Sequence, residues 1–228
     1  MVAPFAEEMA GIVWSVGEKL LEAQIIDGQA MPAFASLRAQ LMQQKQSSCW
    51  SVSVDRGQPI VFSKCFDEKR ELIVPKIVAE GITVNNAHTN TPPFDALDLA
   101  LEVEYDDGRP LTRWHIDRAN SSGDSYQEGP LFHIQFGGHH HGNRDLDLPI
   151  KIPRWNHPPL DIVLLCEVVA ANFFHDKWIA LREDPGWCSN ISQCEKYCYT
   201  SYIDKLRGVL DTSSKTVLNQ FWASNYSQ

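Results

Sequence analysis

Two short runs of the chain pair a histidine with a hydrogen-bonding side chain two residues on: His115-Ile116-Asp117 and His133-Ile134-Gln135. Alternate side chains of an extended strand share a face, so the members of each pair point the same way. An imidazole exchanges protons near neutral pH, and a neighbouring carboxylate orients the ring and favours its charged form. Arg113, two residues before His115, adds a fixed cation suited to a phosphate. Two imidazoles flanking a phosphodiester cleave it by taking one proton and giving another. The expected catalytic set is therefore His115 and His133 as the acid–base pair, with Asp117 orienting a histidine. Arg113 would hold the phosphate, and Gln135 would donate a hydrogen bond to it.

Strands must position these groups. Over 111–117 one face carries Leu111, Arg113, His115 and Asp117, and the other carries Thr112, Trp114 and Ile116. Over 131–136, Leu131, His133 and Gln135 alternate with Phe132, Ile134 and Phe136. If the strands are neighbours, their apolar faces coincide to build the core, and the polar faces coincide too. The expected core row is Trp114, Ile116, Phe132, Ile134 and Phe136. The histidines are expected to meet across the strands, where opposed Cβ atoms lie about 4.5–5.5 Å apart. Glu102 and Glu104, alternating with Leu101, Val103 and Tyr105, join the same surface. An ordinary solvated sheet face has the same alternation. Clustering favours chemistry: of eight histidines, those at 115, 133, 139, 140, 141 and 157 fall in one stretch.

Other candidates surround this set. Arg154, Trp155 and His157 form a polar–aromatic island expected to bind substrate, the indole by stacking. The run His139-His140-His141 reads as a loop with at most one functional histidine, because three adjacent residues do not present regular geometry to one ion. Glu167, alone in an apolar stretch, calls for a partner if it is buried, Arg154 or a histidine. Cys188, Cys194 and Cys198 have C-x5-C-x3-C spacing, which fits neither a standard zinc nor an iron–sulfur site. No disulfide and no tightly held metal is expected there. Cys49, Cys65 and Cys166 lie in apolar runs and read as core residues.

The elements follow from periodicity and breakers. Residues 4–46 read as two helices broken near Gly28. CWSVSVDRGQPIVFSKCF reads as a hairpin turning at Asp55-Arg56-Gly57. In ELIVPKIVAEGITV, Pro75 argues against a central strand. A hairpin with arms 97–105 and 110–118 turns at Asp106-Asp107-Gly108, and a strand at 130–136 follows a polar loop. Residues 160–181 form the expected most buried helix, and helices at 190–209 and 213–224 follow Pro185-Gly186.

The chain has 228 residues, enough for one sizeable core, with 43% hydrophobic and 21% charged residues, a globular balance. Its net charge of −9 argues against a broad nucleic-acid footprint while allowing a local basic groove. The N-terminus lacks a basic n-region, and no apolar run nears the about 20 residues of a membrane span, so a cytoplasmic protein is expected. The expected fold is one α+β domain over 1–228. It has a helical part (1–46), a central antiparallel β-meander (47–157) and a helical part (158–228), with the helices packed on one face. The leading functional expectation is a nuclease-like or phosphodiesterase-like hydrolase, with a nucleic acid or nucleotide as substrate and no cofactor. A non-catalytic interaction protein, whose histidine-bearing face binds a protein partner, is the rival. A metal-binding module is the third reading.

Overall fold

A computed structural model describes residues 3–88, 90–122, 125–137 and 150–226. Helices α1 (Ala6–Glu22) and α2 (Met31–Met42) precede strands β1 (Cys49–Val54), β2 (Ile60–Val61), β3 (Cys65–Phe66), β4 (Leu72–Asn85), β5 (Phe94–Tyr105) and β6 (Pro110–Arg118). A small hairpin, β7 (Ser121–Ser122) and β8 (Ser125–Tyr126), leads to β9 (Phe132–Phe136) and β10 (Arg154–Asn156). Helices α3 (Ile162–Phe173), α4 (His175–Leu181), α5 (Pro185–Thr212) and α6 (Val217–Phe221) follow. Among the described residues eight strands form one sheet in the order β1-β4-β5-β6-β9-β10, with β2 and β3 also on β4. Every pairing in it is antiparallel. The fold is thus α+β, a meander with helices at both ends of the chain. No helix among the described residues is long and apolar enough to cross a membrane.

Alternation in the two longest strands decides which face the helices take. Ile73, Ile77, Ala79, Ile82 and Val84 of β4 and Leu97, Leu99, Leu101 and Val103 of β5 are all buried. Helix α3 covers this row with Ile162, Val163, Leu164, Leu165, Cys166, Val169 and Ala170, buried in one 12-residue helix. Asp161 caps that helix. Its Oδ1 accepts from the Leu164 N–H at 2.7 Å, and its Oδ2 accepts from the Tyr197 hydroxyl of α5. A buried carboxylate so satisfied ties α3 to α5.

Several expectations change. Residues 49–66 form no hairpin: β1, β2 and β3 lie end to end along β4 as one interrupted edge strand. The Asp55 turn is a loop thrown out from that edge, closed by Asp55 Oδ1 accepting from the Gly57 N–H. Pro75 does sit in an interior strand. Its carbonyl accepts from the Phe62 N–H, so the side lacking a donor faces the gap between β2 and β3 and not β5. The 160–181 segment is two helices, because Phe174 leaves helical geometry (φ −133, ψ 43) and stacks on Phe62 with ring centroids 6.2 Å apart. Pro185 starts a helix where a break was expected: Asp184 caps it by accepting from the Trp187 N–H, and proline suits the first turn. Strand β10 was missed, being three residues between prolines.

In the expected core row, Ile116 and Phe132 are buried, Trp114 and Ile134 are half-buried, and Phe136 is 47% exposed. Helix α3 does not reach that corner. A cavity of about 290 Å³ remains between Leu101, Trp114, Ile116 and Ile134 of the sheet and Leu165, Val168 and Phe173 of the helix. Cys166, Cys194 and Cys198 are buried free thiols, whereas Cys49 is exposed and Cys65 half-buried.

Replacing Leu165, 2% exposed, by Ala should lower unfolding free energy by about 2–5 kcal/mol in urea titrations. A loss under about 0.5 kcal/mol would mean that α3 is not the central helix.

Candidate active site

Strands β5, β6 and β9 lie side by side, and their helix-averted rows form one polar face. The register places Asp98 opposite Asp117, Glu102 opposite Arg113, Gln135 opposite His115 and His133 opposite Asp117. His115 and His133 are therefore diagonal neighbours and not the directly opposed pair expected. Asp117 stands between them: its Oδ2 lies 3.8 Å from His115 Nδ1 and 4.0 Å from His133 Nε2. The reason is the phase of the pairing, which brings Ile116 to Ile134 on the apolar face.

The face is not an ordinary solvated one. His133 is 2% exposed and Arg113 is 5% exposed, although neither belongs to the apolar core. His133 Nδ1 lies 3.1 Å from the Pro130 carbonyl. A carbonyl only accepts, so Nδ1 carries the hydrogen and Nε2 is left as an acceptor directed at Asp117. Arg113 Nε lies 3.2 Å from Glu102, and Arg56, carried by the loop of the interrupted edge, reaches Glu102 at 2.7 Å and Glu80 at 3.2 Å. Glu104 pairs with Lys76. Arg113 is thus engaged within the face and does not project as the phosphate-holding group expected of it.

Strand β10 brings Arg154 to the face opposite Gln135. The Arg154 Nε–H donates to Gln135 Oε1 at 3.2 Å, which leaves the Gln135 amide N–H groups as donors, and a second guanidinium N–H donates to the Glu128 carbonyl. Gly129 is required here. Its φ is +143, and a Cβ would stand 2.9 Å from Arg154 Cδ. Trp155 pairs with Ile134 and so shares the opposite face, 69% exposed. His157 lies outside the cluster, its Nδ1 2.6 Å from the Pro158 carbonyl. Of the expected substrate-binding trio, only Arg154 joins the site. His139, His140 and His141 lie outside the described residues. Glu167 is half-buried with neither arginine nor histidine as partner among the described residues; the indole N–H groups of Trp187 and Trp178 donate to its Oε1 at 3.3 and 3.4 Å.

Two participants escaped the sequence reading. The alternation that placed Glu102 runs back through Ala100 to Asp98, so Asp98 was legible. Arg56 was not, because a loop residue has no periodic signal. Asp98, His115 and Asp117 offer ligand atoms that all lie within 4.8 Å of one another.

Burial dominates the electrostatics. It pushes the Asp117 carboxyl up from 3.8 to about 7, helped by Asp98 and opposed by Arg113 and Arg154. It holds the His133 imidazole down from 6.5 to about 4, against the Pro130 carbonyl and with Arg154 and His115 adding repulsion. Burial, with Glu80, also raises Asp98. At neutral pH His133 is an uncharged proton acceptor. Comparison with protein-family models, curated proteins and solved structures gives no match.

The two large shifts act on stability with opposite sign. Between pH 4 and 7 folded Asp117 holds a proton that the unfolded chain has released, so its contribution falls as pH rises. Between pH 6.5 and 4 the unfolded chain protonates a histidine that folded His133 keeps neutral, so stability falls as pH drops. The two oppose one another in the native chain. Asp117→Asn should unmask the histidine: denaturant titrations in EDTA should show it losing roughly 2–3 kcal/mol more than the native chain between pH 6.5 and 4. Parallel pH profiles for the two proteins would refute these ionisation states.

Proposed function

We propose that the protein is a hydrolase acting on a phosphodiester, with the reaction centred on His133, Asp117 and His115. The observation that carries this is one carboxylate oxygen within 4.0 Å of both imidazoles, on a face with cations beside it. His133 Nε2, its tautomer fixed by Pro130, takes the proton from the attacking oxygen. His115, oriented by Asp117, gives a proton to the leaving oxygen. Arg154 and the Gln135 amide receive the non-bridging phosphate oxygens, and Arg113 contributes charge from within the face. A nucleic acid or nucleotide supplies such a group, and the local cations offer it a foothold despite the net charge of −9.

The test is a turnover screen on RNA, DNA and cyclic nucleotides, in EDTA and with added divalent ions. His133→Ala should reduce turnover by roughly 10²–10⁴ while the thermal unfolding curve stays cooperative. If the native chain cleaves none of these substrates under any ion condition, the hydrolase reading fails. A second reading, a protein-binding surface, draws on Trp155 and Phe136, 69% and 47% exposed on the other face of the same sheet corner. It expects no turnover, and loss of partner binding on Trp155→Ala.

A further inference from the structure

We infer that Asp98, His115 and Asp117 form a binding site for a divalent transition-metal ion, with His133 poised at its edge. The three residues come from two adjacent strands and one face. Asp98 and Asp117 are directly opposed across β5 and β6, and His115 precedes Asp117 by one repeat of the pleat. Three atoms no more than 4.8 Å apart share a centre within about 2.8 Å of each (4.8/√3). Ligand distances of about 2.0–2.2 Å are then reached by closing each side chain by roughly 0.7 Å.

The cluster is more than a pair of acids. Two carboxyl groups set opposite one another on adjacent strands repel when both are ionised, and a cation between them relieves that repulsion. Arg113 is already engaged by Glu102, and Arg154 by Gln135 and Glu128. Asp117 Oδ1 is buried with no hydrogen-bond partner among the described residues, a costly state that a coordinated ion relieves. His133, 2% exposed, directs its Nε2 to within 4.0 Å of Asp117 Oδ2. Its Nδ1–H donates to a backbone carbonyl, the outer bond that fixes the tautomer of metal-binding imidazoles. The donor set of two carboxylates and one or two imidazoles suits zinc or manganese and lacks the soft thiolates that copper(I) prefers.

What the ion does there rests on the hydrolase reading; whether it binds does not. An ion there would take His115 as a ligand and would supply Lewis-acid stabilisation of the charge on the leaving oxygen. His133 keeps its part as proton acceptor.

The experiment is calorimetric titration of the metal-stripped full chain with zinc chloride alone and with manganese chloride alone, in the absence of substrate. One equivalent is expected to bind at this site. Asp98→Asn and His115→Gln should each weaken it at least about tenfold. Both are read, with circular dichroism melts, so that misfolding of one leaves the other decisive. A companion chain carrying His139→Ala, His140→Ala and His141→Ala removes the other histidine cluster and should retain the equivalent. Loss of all binding in that companion, or unchanged affinity in a folded Asp98→Asn or His115→Gln, overturns the inference. Binding without turnover upholds it and counts against the hydrolase. Turnover at full rate in EDTA, with no ion bound in the titrations, does the reverse.

Discussion

The structure depends on the two-residue alternation of β4, β5, β6 and β9 held in one phase. Helix α3 and its neighbours require an unbroken apolar row, and Ile77, Leu99, Leu101 and Ile116 supply it. Slipping any of these strands by one residue would turn that row outward and drive Asp98, His115 or Asp117 into the helices. The helix layer therefore fixes the polar face as firmly as the core. Asp117 stands between two histidines because Ile116 must meet Ile134 on the other side of the sheet.

A polar face fixed in this way carries charges that water reaches poorly. Arg113 is accommodated because Glu102 sits directly across from it, with Arg56 competing for the same carboxylate. Beneath them Val78 and Ala100 are buried, so ionic side chains roof a small apolar floor. Among the described residues Asp117 and His133 have no such charge partner at hydrogen-bond distance, and burial moves their proton affinities in opposite directions. Burial thus favours the uncharged form of both groups.

The hairpin 97–118, the strand at 130–136 and the polar face were legible because each rests on local alternation and recognisable turn chemistry; Gly108, at φ +84, closes the turn where Asp-Asp-Gly stands. What failed was non-local. Which partner β1 and β2 would choose was not written in 49–66, since the apparent hairpin is resolved by a competitor strand, β4. Pro75 misled because the rule against proline in interior strands assumes an intact neighbour on both sides. Arg56 reaches the face from a loop, which carries no periodic signal, and the diagonal offset of the histidines depends on register, which alternation alone leaves open by two residues.

Both lateral borders of the sheet are broken. On one side the border strand is divided into β1, β2 and β3, with the charged loop at Arg56 standing out from it. On the other, β10 offers three residues between Pro153 and Pro158. A long, regular border would present a ladder of open donors and acceptors to any extended chain it met. Here β10 is three residues long, and the outward backbone groups of Ser51 and Ser53 in β1 are taken by the side chains of Gln44 and Gln40. The interruptions that deliver Arg56 and Arg154 to the polar face thus also shorten the ladder that the described borders leave open to another chain.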